Sequence, residues 1–255
     1  MKKVFNKFHD HWFAGYYLKD LSLIRLVVVG VQLYFLLFMD VLTTQKLRSL
    51  INIEEYEPVW ILKILLAPFG WGVRPDFLFL EAIWLGAVIT GFLSLVGLYK
   101  RPILFLFAAF NTILFAHKYS YLEQHHTEAI VVIFLWILAF GDSSKSWSID
   151  DLKKRIIISL SKMKFEPRDK KELDQFARWP VTLMQWMFCL VYLSAGYEKV
   201  KGGFNSYSLM GSFAQDGIAH QHDLGLLLSG YPDLLNILVP LTVIFEFAFI
   251  LIMLF

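Results

Sequence analysis

The sequence holds a single cysteine, Cys189, in 255 residues. One thiol closes no internal disulfide, so no covalent staple holds the chain and no redox compartment is marked. Charge is also scarce. Lys, Arg, Asp and Glu make up 18% of the residues, against about 25% in an ordinary soluble domain. The net charge of +2 carries no footprint for nucleic acid. Walker loops, dinucleotide fingerprints, nucleophile elbows, zinc-finger spacings, HExxH and repeated HxxHH boxes are all missing, as are internal repeats and low-complexity tracts.

Apolar residues, in contrast, reach 57% and aromatics 17%. That balance points to an integral membrane protein, an all-α polytopic helix bundle forming a single domain over residues 1–255. The first twenty residues are basic and aromatic, and no small-residue cleavage pattern precedes Leu21. They read as an interfacial segment, with Lys2, Lys3 and Lys7 at headgroups and Trp12, Phe13, Tyr16 and Tyr17 in the aromatic belt.

A span needs about 20 mostly apolar residues. Six stretches qualify or nearly so: Leu21–Met39, Phe77–Leu98, Pro102–Tyr119, the shorter His126–Phe140, Val181–Lys199 and Leu234–Phe255. Pro58–Trp71 is too short and carries Lys63 and Pro68, so it reads as interfacial or re-entrant. The longest polar stretch, residues 141–179, becomes a cytoplasmic loop if the N-terminus is cytoplasmic. That orientation places 16 Lys and Arg on the inner side and 7 on the outer side, as the positive-inside rule asks. It also gathers His117, His125, His126, His220, His222 and Lys199 near the outer face. The chain ends inside an apolar run at Phe255, so either the last helix closes at the inner surface or later helices are missing.

Lys199 ends the run LVYLSAGYEKVKGGF. Gln185, Tyr192 and Lys199 are seven apart and share one helical stripe, and Ala195 and Gly196 admit a close neighbour. Burial disfavours the charged form of an amine, and a neutral amine is a base or nucleophile. An ordinary interfacial anchor that snorkels to the headgroups is the other reading. His125 and His126 open a helix beside Thr127 and Glu128, either to hold a ligand hydroxyl or as a polar cap. A metal held by the gathered histidines is a third option, on weak spacing. Two charges fall inside spans. Arg25 sits one turn into the first and close enough to the interface to snorkel. Glu246 lies mid-helix, where it calls for protonation or for a polar partner such as Asn111 or Gln32. Gly202–Gly203 reads as a turn.

The segment Pro180–Phe204, with Ala195, Gly196, Tyr197, Glu198, Lys199 and then a turn and an aromatic, resembles the signature of the horizontally transferred transmembrane (HTTM) family. That family includes the membrane part of vitamin K-dependent gamma-glutamyl carboxylase. LSLIRLVVVG with Arg25, QHHTEAI with His126, and AFGDSSKSWSIDDL with Trp147, Ser148 and Asp150 resemble further family segments in the same order. The resemblance implies that Lys199 is the base toward a reduced quinone and His126 its helper. His125, His117, Tyr192, Gln185, Arg25 and Glu246 are candidates for a surrounding quinone- or lipid-type pocket. It implies a multi-pass protein of a bacterial inner membrane, in contact with the bilayer. Two departures stand. The carboxylase's large soluble domain is not represented before Phe255, and Glu198 replaces a lysine beside Lys199, where it would hold the ammonium charged. A non-enzymatic accessory factor for maturation or export of a peptide is the alternative.

Overall fold

The structure is a computed structural model that describes residues 9–13, 15–39, 42–51, 56–66, 74–98, 100–121, 126–141, 143, 146–149, 152–153, 156–157, 173–174, 177–220 and 227–254. Helices dominate them: α1 Leu18–Leu37, α2 Thr44–Ile51, α3 Trp60–Leu66, α4 Phe77–Val96, α5 Lys100–Tyr119, α6 His126–Phe140, α7 Arg178–Lys201, α8 Ser206–His220 and α9 Pro232–Leu254. Among the described residues the one departure from all-α is a two-residue antiparallel pair, β1 Tyr16–Tyr17 against β2 Leu173–Asp174.

Four helices are long and apolar enough to cross a membrane: Leu18–Leu37, Phe77–Val96, Arg101–Tyr119 and Pro232–Leu251. The other two expected spans are present as helices. α6 is shorter, 15 residues. α7 has 24 residues, but Gln185, Pro180 and its Trp and Tyr residues dilute the apolar run. Each expected segment and its helix agree to within a few residues, because apolar length sets where a chain can shed water from its backbone only by coiling. The stretch expected as interfacial contributes the single short helix α3; residues 67–73 lie outside the described residues, as do 1–8 of the N-terminal segment and most of the 141–179 loop.

Chain contacts divide the protein into two units, residues 1–183 and 184–255. In the first, α1, α4, α5 and α6 pack together. The buried face of α1 runs Leu21, Arg25, Val28, Gln32, Leu36, the three-to-four spacing of one helical stripe. Gly91 on α4 lets the helices close: a Cβ there would lie 2.6 Å from Leu33 Cδ2 and 2.8 Å from Phe107 Cε2. At mid-depth Gln32 donates from Nε2 to Asn111 Oδ1 at 2.6 Å, and Asn111 donates to the Phe107 carbonyl at 2.7 Å. Trp136 donates to Thr112 Oγ1 at 2.9 Å, joining α6 to α5. These bonds tie α1 to α5 and α5 to α6 through polar side chains inside the bundle.

In the second unit α8 packs on α9. α7 ends as expected at Gly202–Gly203: Gly203 is left-handed (φ 67°), and the Phe204 N–H donates back to the Lys199 carbonyl at 2.9 Å. Asn205 Oδ1 then caps α8 by accepting from the Ser208 N–H at 3.0 Å.

Candidate functional site: a lysine–glutamate pair and two buried cationic corners

Gly196 is where α7 meets α9. A Cβ on it would stand 3.2 Å from Glu246 Cβ and from Phe247 Cε2, so a bare backbone there draws the two helices together. One turn further along α7, Lys199 reaches across and donates its ammonium to Glu246 Oε1. Glu246 is buried, and the Lys199 side chain is 28% exposed. Glu246 Oε2 has no hydrogen-bond partner among the described residues. Phe204, delivered by the glycine turn, lies under the ammonium with its ring centre 5.3 Å from Nζ. Tyr192, two turns before Lys199, has its ring 4.3 Å from Phe249 and edge-on to Phe245 at 5.8 Å. The arrangement is an amine held half in hydrocarbon, with a carboxylate on one side and aromatic walls around it. A proton can move between Nζ and Oε1 without crossing water.

The partners differ from those the sequence suggested. Asn111 and Gln32, suggested as partners for Glu246, bond each other. Glu198, expected beside Lys199, is exposed, and the acid that meets the lysine comes from another helix. Gln185, on the same nominal stripe, is exposed, so only Tyr192 and Lys199 of the three join this cluster.

The remaining candidates belong to the first unit. Arg25 does not snorkel: it is fully buried, and Nη2 donates to the Trp147 carbonyl at 2.8 Å. His117 is fully buried too, and neither ring nitrogen has a hydrogen-bond partner among the described residues. Its ring lies 5.8 Å from Tyr56 and 5.2 Å, edge-on, from Tyr121. The Arg74 guanidinium is over both tyrosines, and its Nε donates to Tyr121 Oη at 2.8 Å. Burial pushes the Tyr56 phenol up to about 12, with Tyr121 adding to the rise and Ser120 and Arg74 opposing it. Tyr121 is raised by burial as well. Next to His117, Lys118 donates to Glu128 at 2.7 Å in a nearly dry pair. Sequence reading missed this pair and the Arg74–tyrosine stack. The pair has a faint signal, two opposite charges flanking one interhelical turn; the stack has none, since its members are far apart in the chain. His126 begins α6, but its side chain lies outside the described residues, as do His125 and His222 entirely. Among the described residues, no three His, Cys, Asp or Glu side chains group to hold a metal.

Family models, curated proteins and solved structures were compared with this chain. None matches.

Proposed function

We propose that this is an HTTM-type integral membrane protein whose Lys199–Glu246 pair is the reactive centre toward a quinol- or lipid-type ligand. It has six spans with the N-terminus cytoplasmic, and it resides in a bacterial inner membrane. The distribution of Lys and Arg, 16 inside against 7 outside, supports that orientation. The reading is carried by one observation, the hydrogen bond from Lys199 to a buried carboxylate on a neighbouring apolar helix.

A charged pair in hydrocarbon is costly to hold, and passing the ammonium proton to Glu246 makes both partners neutral. The freed amine lone pair then takes the hydroxyl proton of a quinol. The quinolate formed faces the new ammonium; oxygen takes two electrons from it, together with its remaining hydroxyl proton and the ammonium proton, giving quinone and hydrogen peroxide and returning the amine to neutral. Tyr192, Phe245, Phe249 and Phe204 supply the flat apolar walls that a ring-shaped ligand fits. The test is quinol-dependent oxygen consumption by the purified protein in lipid. Lys199→Ala is expected to abolish it in a folded protein; equal rates in variant and parent remove the enzymatic reading.

A second reading is favoured by the acid itself. A lysine hydrogen-bonded to a glutamate between α7 and α9 is a structural clasp. On that reading the protein is a non-enzymatic accessory factor for an exported peptide. It then co-purifies with that peptide and turns over no quinol.

A further inference from the structure

Arg25 is a buried cation with most of its hydrogen-bonding capacity unused. Its residue is fully buried, and Nε and Nη1 have no partner among the described residues. A guanidinium carries five N–H donors, and its only hydrogen bond here goes to the carbonyl of Trp147. No carboxylate of the described residues pairs with it. The C-terminal end of α4 is close by, because a Cβ on Gly97 would lie 2.9 Å from Nη1. A helix C-terminus carries only about half a negative charge, so the dipole offsets part of the guanidinium charge and satisfies none of its open N–H groups. Leaving a charged group uncompensated in a low-dielectric bundle is among the costliest arrangements a protein can hold.

Two further observations fall in the same corner. Ser94, one turn before Gly97 on α4, is buried, and its Oγ has no partner either. Trp147, which supplies the one bond to Arg25, is the only non-glycine of the described residues in the left-handed region, at φ 46°. A bulky side chain there is strained, and strained backbone collects at ligand clamps and switches. Trp147 is 51% exposed, so little packing of its ring holds that conformation. Gly97, also left-handed at φ 69°, lets the Trp147–Ser148 turn come close to α4: a Cβ on it would come within 2.5 Å of Ser148 Cβ.

We propose that this corner is a binding site for a phosphate-type oxyanion, held by Arg25 and Ser94, with the Trp147 turn as its cover. The open donors are those that oxyanions take, and arginine matches phosphate geometry. Arg25 lies seven residues into α1, about 10 Å from its start and nearer to that end of the helix than to the other. When the oxyanion engages the guanidinium, the Trp147 carbonyl is released and the turn relaxes. The site is independent of the Lys199 reading.

The test uses the full chain purified in a maltoside detergent, which contains no phosphorus. Inorganic phosphate and a short-chain phosphatidylglycerol are titrated separately, with chloride at equal ionic strength as control, and tryptophan emission and the thermal midpoint are followed. At least one phosphate source is expected to shift both readouts, and Trp147→Phe is expected to lose the emission change. A response to both sources identifies a small-anion site; a response to the lipid alone identifies a headgroup site. Arg25→Gln is expected to abolish the response. Ser94→Ala, which removes only a hydroxyl, is expected to weaken it at least about fivefold, and it decides the matter if Arg25→Gln does not fold. No response to either source, a chloride response of the same size, or unchanged affinity in Ser94→Ala overturns the proposal.

Discussion

Lys199 on α7 and Glu246 on α9 are 47 positions apart in the chain and share one proton-bearing contact. Glu246 lies well within the apolar helix Pro232–Leu251, and Lys199 is the polar group that makes its burial tolerable. The pair therefore has a structural consequence whatever chemistry it performs. Lys199→Met leaves a buried carboxylate without a partner and is expected to cost about 3 kcal/mol, the low end for breaking a buried pair because Lys199 retains some access to water. The double variant Lys199→Met/Glu246→Leu is expected to regain most of that loss. Thermal unfolding of the three proteins in detergent checks this; a double variant less stable than Lys199→Met refutes it.

Gly196 is the second test of the same contact. Alanine needs a shift of a few tenths of an ångström against Glu246 Cβ and is expected to be tolerated. Leucine cannot be accommodated without parting α7 from α9, and overpacking of this kind costs about 1–3 kcal/mol. Gly196→Leu is thus expected to lower the unfolding midpoint. It also separates Lys199 from Glu246, so a cysteine pair at 199 and 246 cross-links more slowly in its presence.

The Gln32–Asn111 hydrogen bond at 2.6 Å is expected to couple α1 to α5 by about 0.6–1.7 kcal/mol, the range for such bonds in membrane bundles. A double-mutant cycle with Gln32→Leu and Asn111→Leu measures it. A coupling near zero would mean that each side chain finds another partner when its mate is removed.

Tyr56 sets a limit at high pH. Its phenol is raised from 10.0 to about 12, chiefly by burial, so the folded protein binds the proton more tightly than the unfolded chain does. Its contribution to stability is complete below about pH 10 and disappears as the pH climbs toward 12. Phenolate absorbance is expected to lose one tyrosine from its late-titrating fraction in Tyr56→Phe, and the fall in melting temperature over that interval is expected to flatten in the variant.

Much of the scaffold was readable in advance. Hydrophobic length placed six helices, the glycine pair after Lys199 ended α7, and the embedded polar residues marked positions that need partners. The partners themselves were not readable. Asn111 and Gln32 were candidates for Glu246, yet they bond each other across α1 and α5. Arg25 lies near a helix end in the sequence, where a long side chain usually escapes to water, but the Gly97 turn and the Trp147 loop close over it.

Composition and apolar period dictate that this chain forms helices long enough for a bilayer, since no other local structure satisfies its backbone away from water. Which cation meets which anion depends on the neighbour each helix acquires. That choice rests on close approaches at Gly91, Gly97 and Gly196, and short-range pattern holds no record of it because the contacting residues are tens of positions apart.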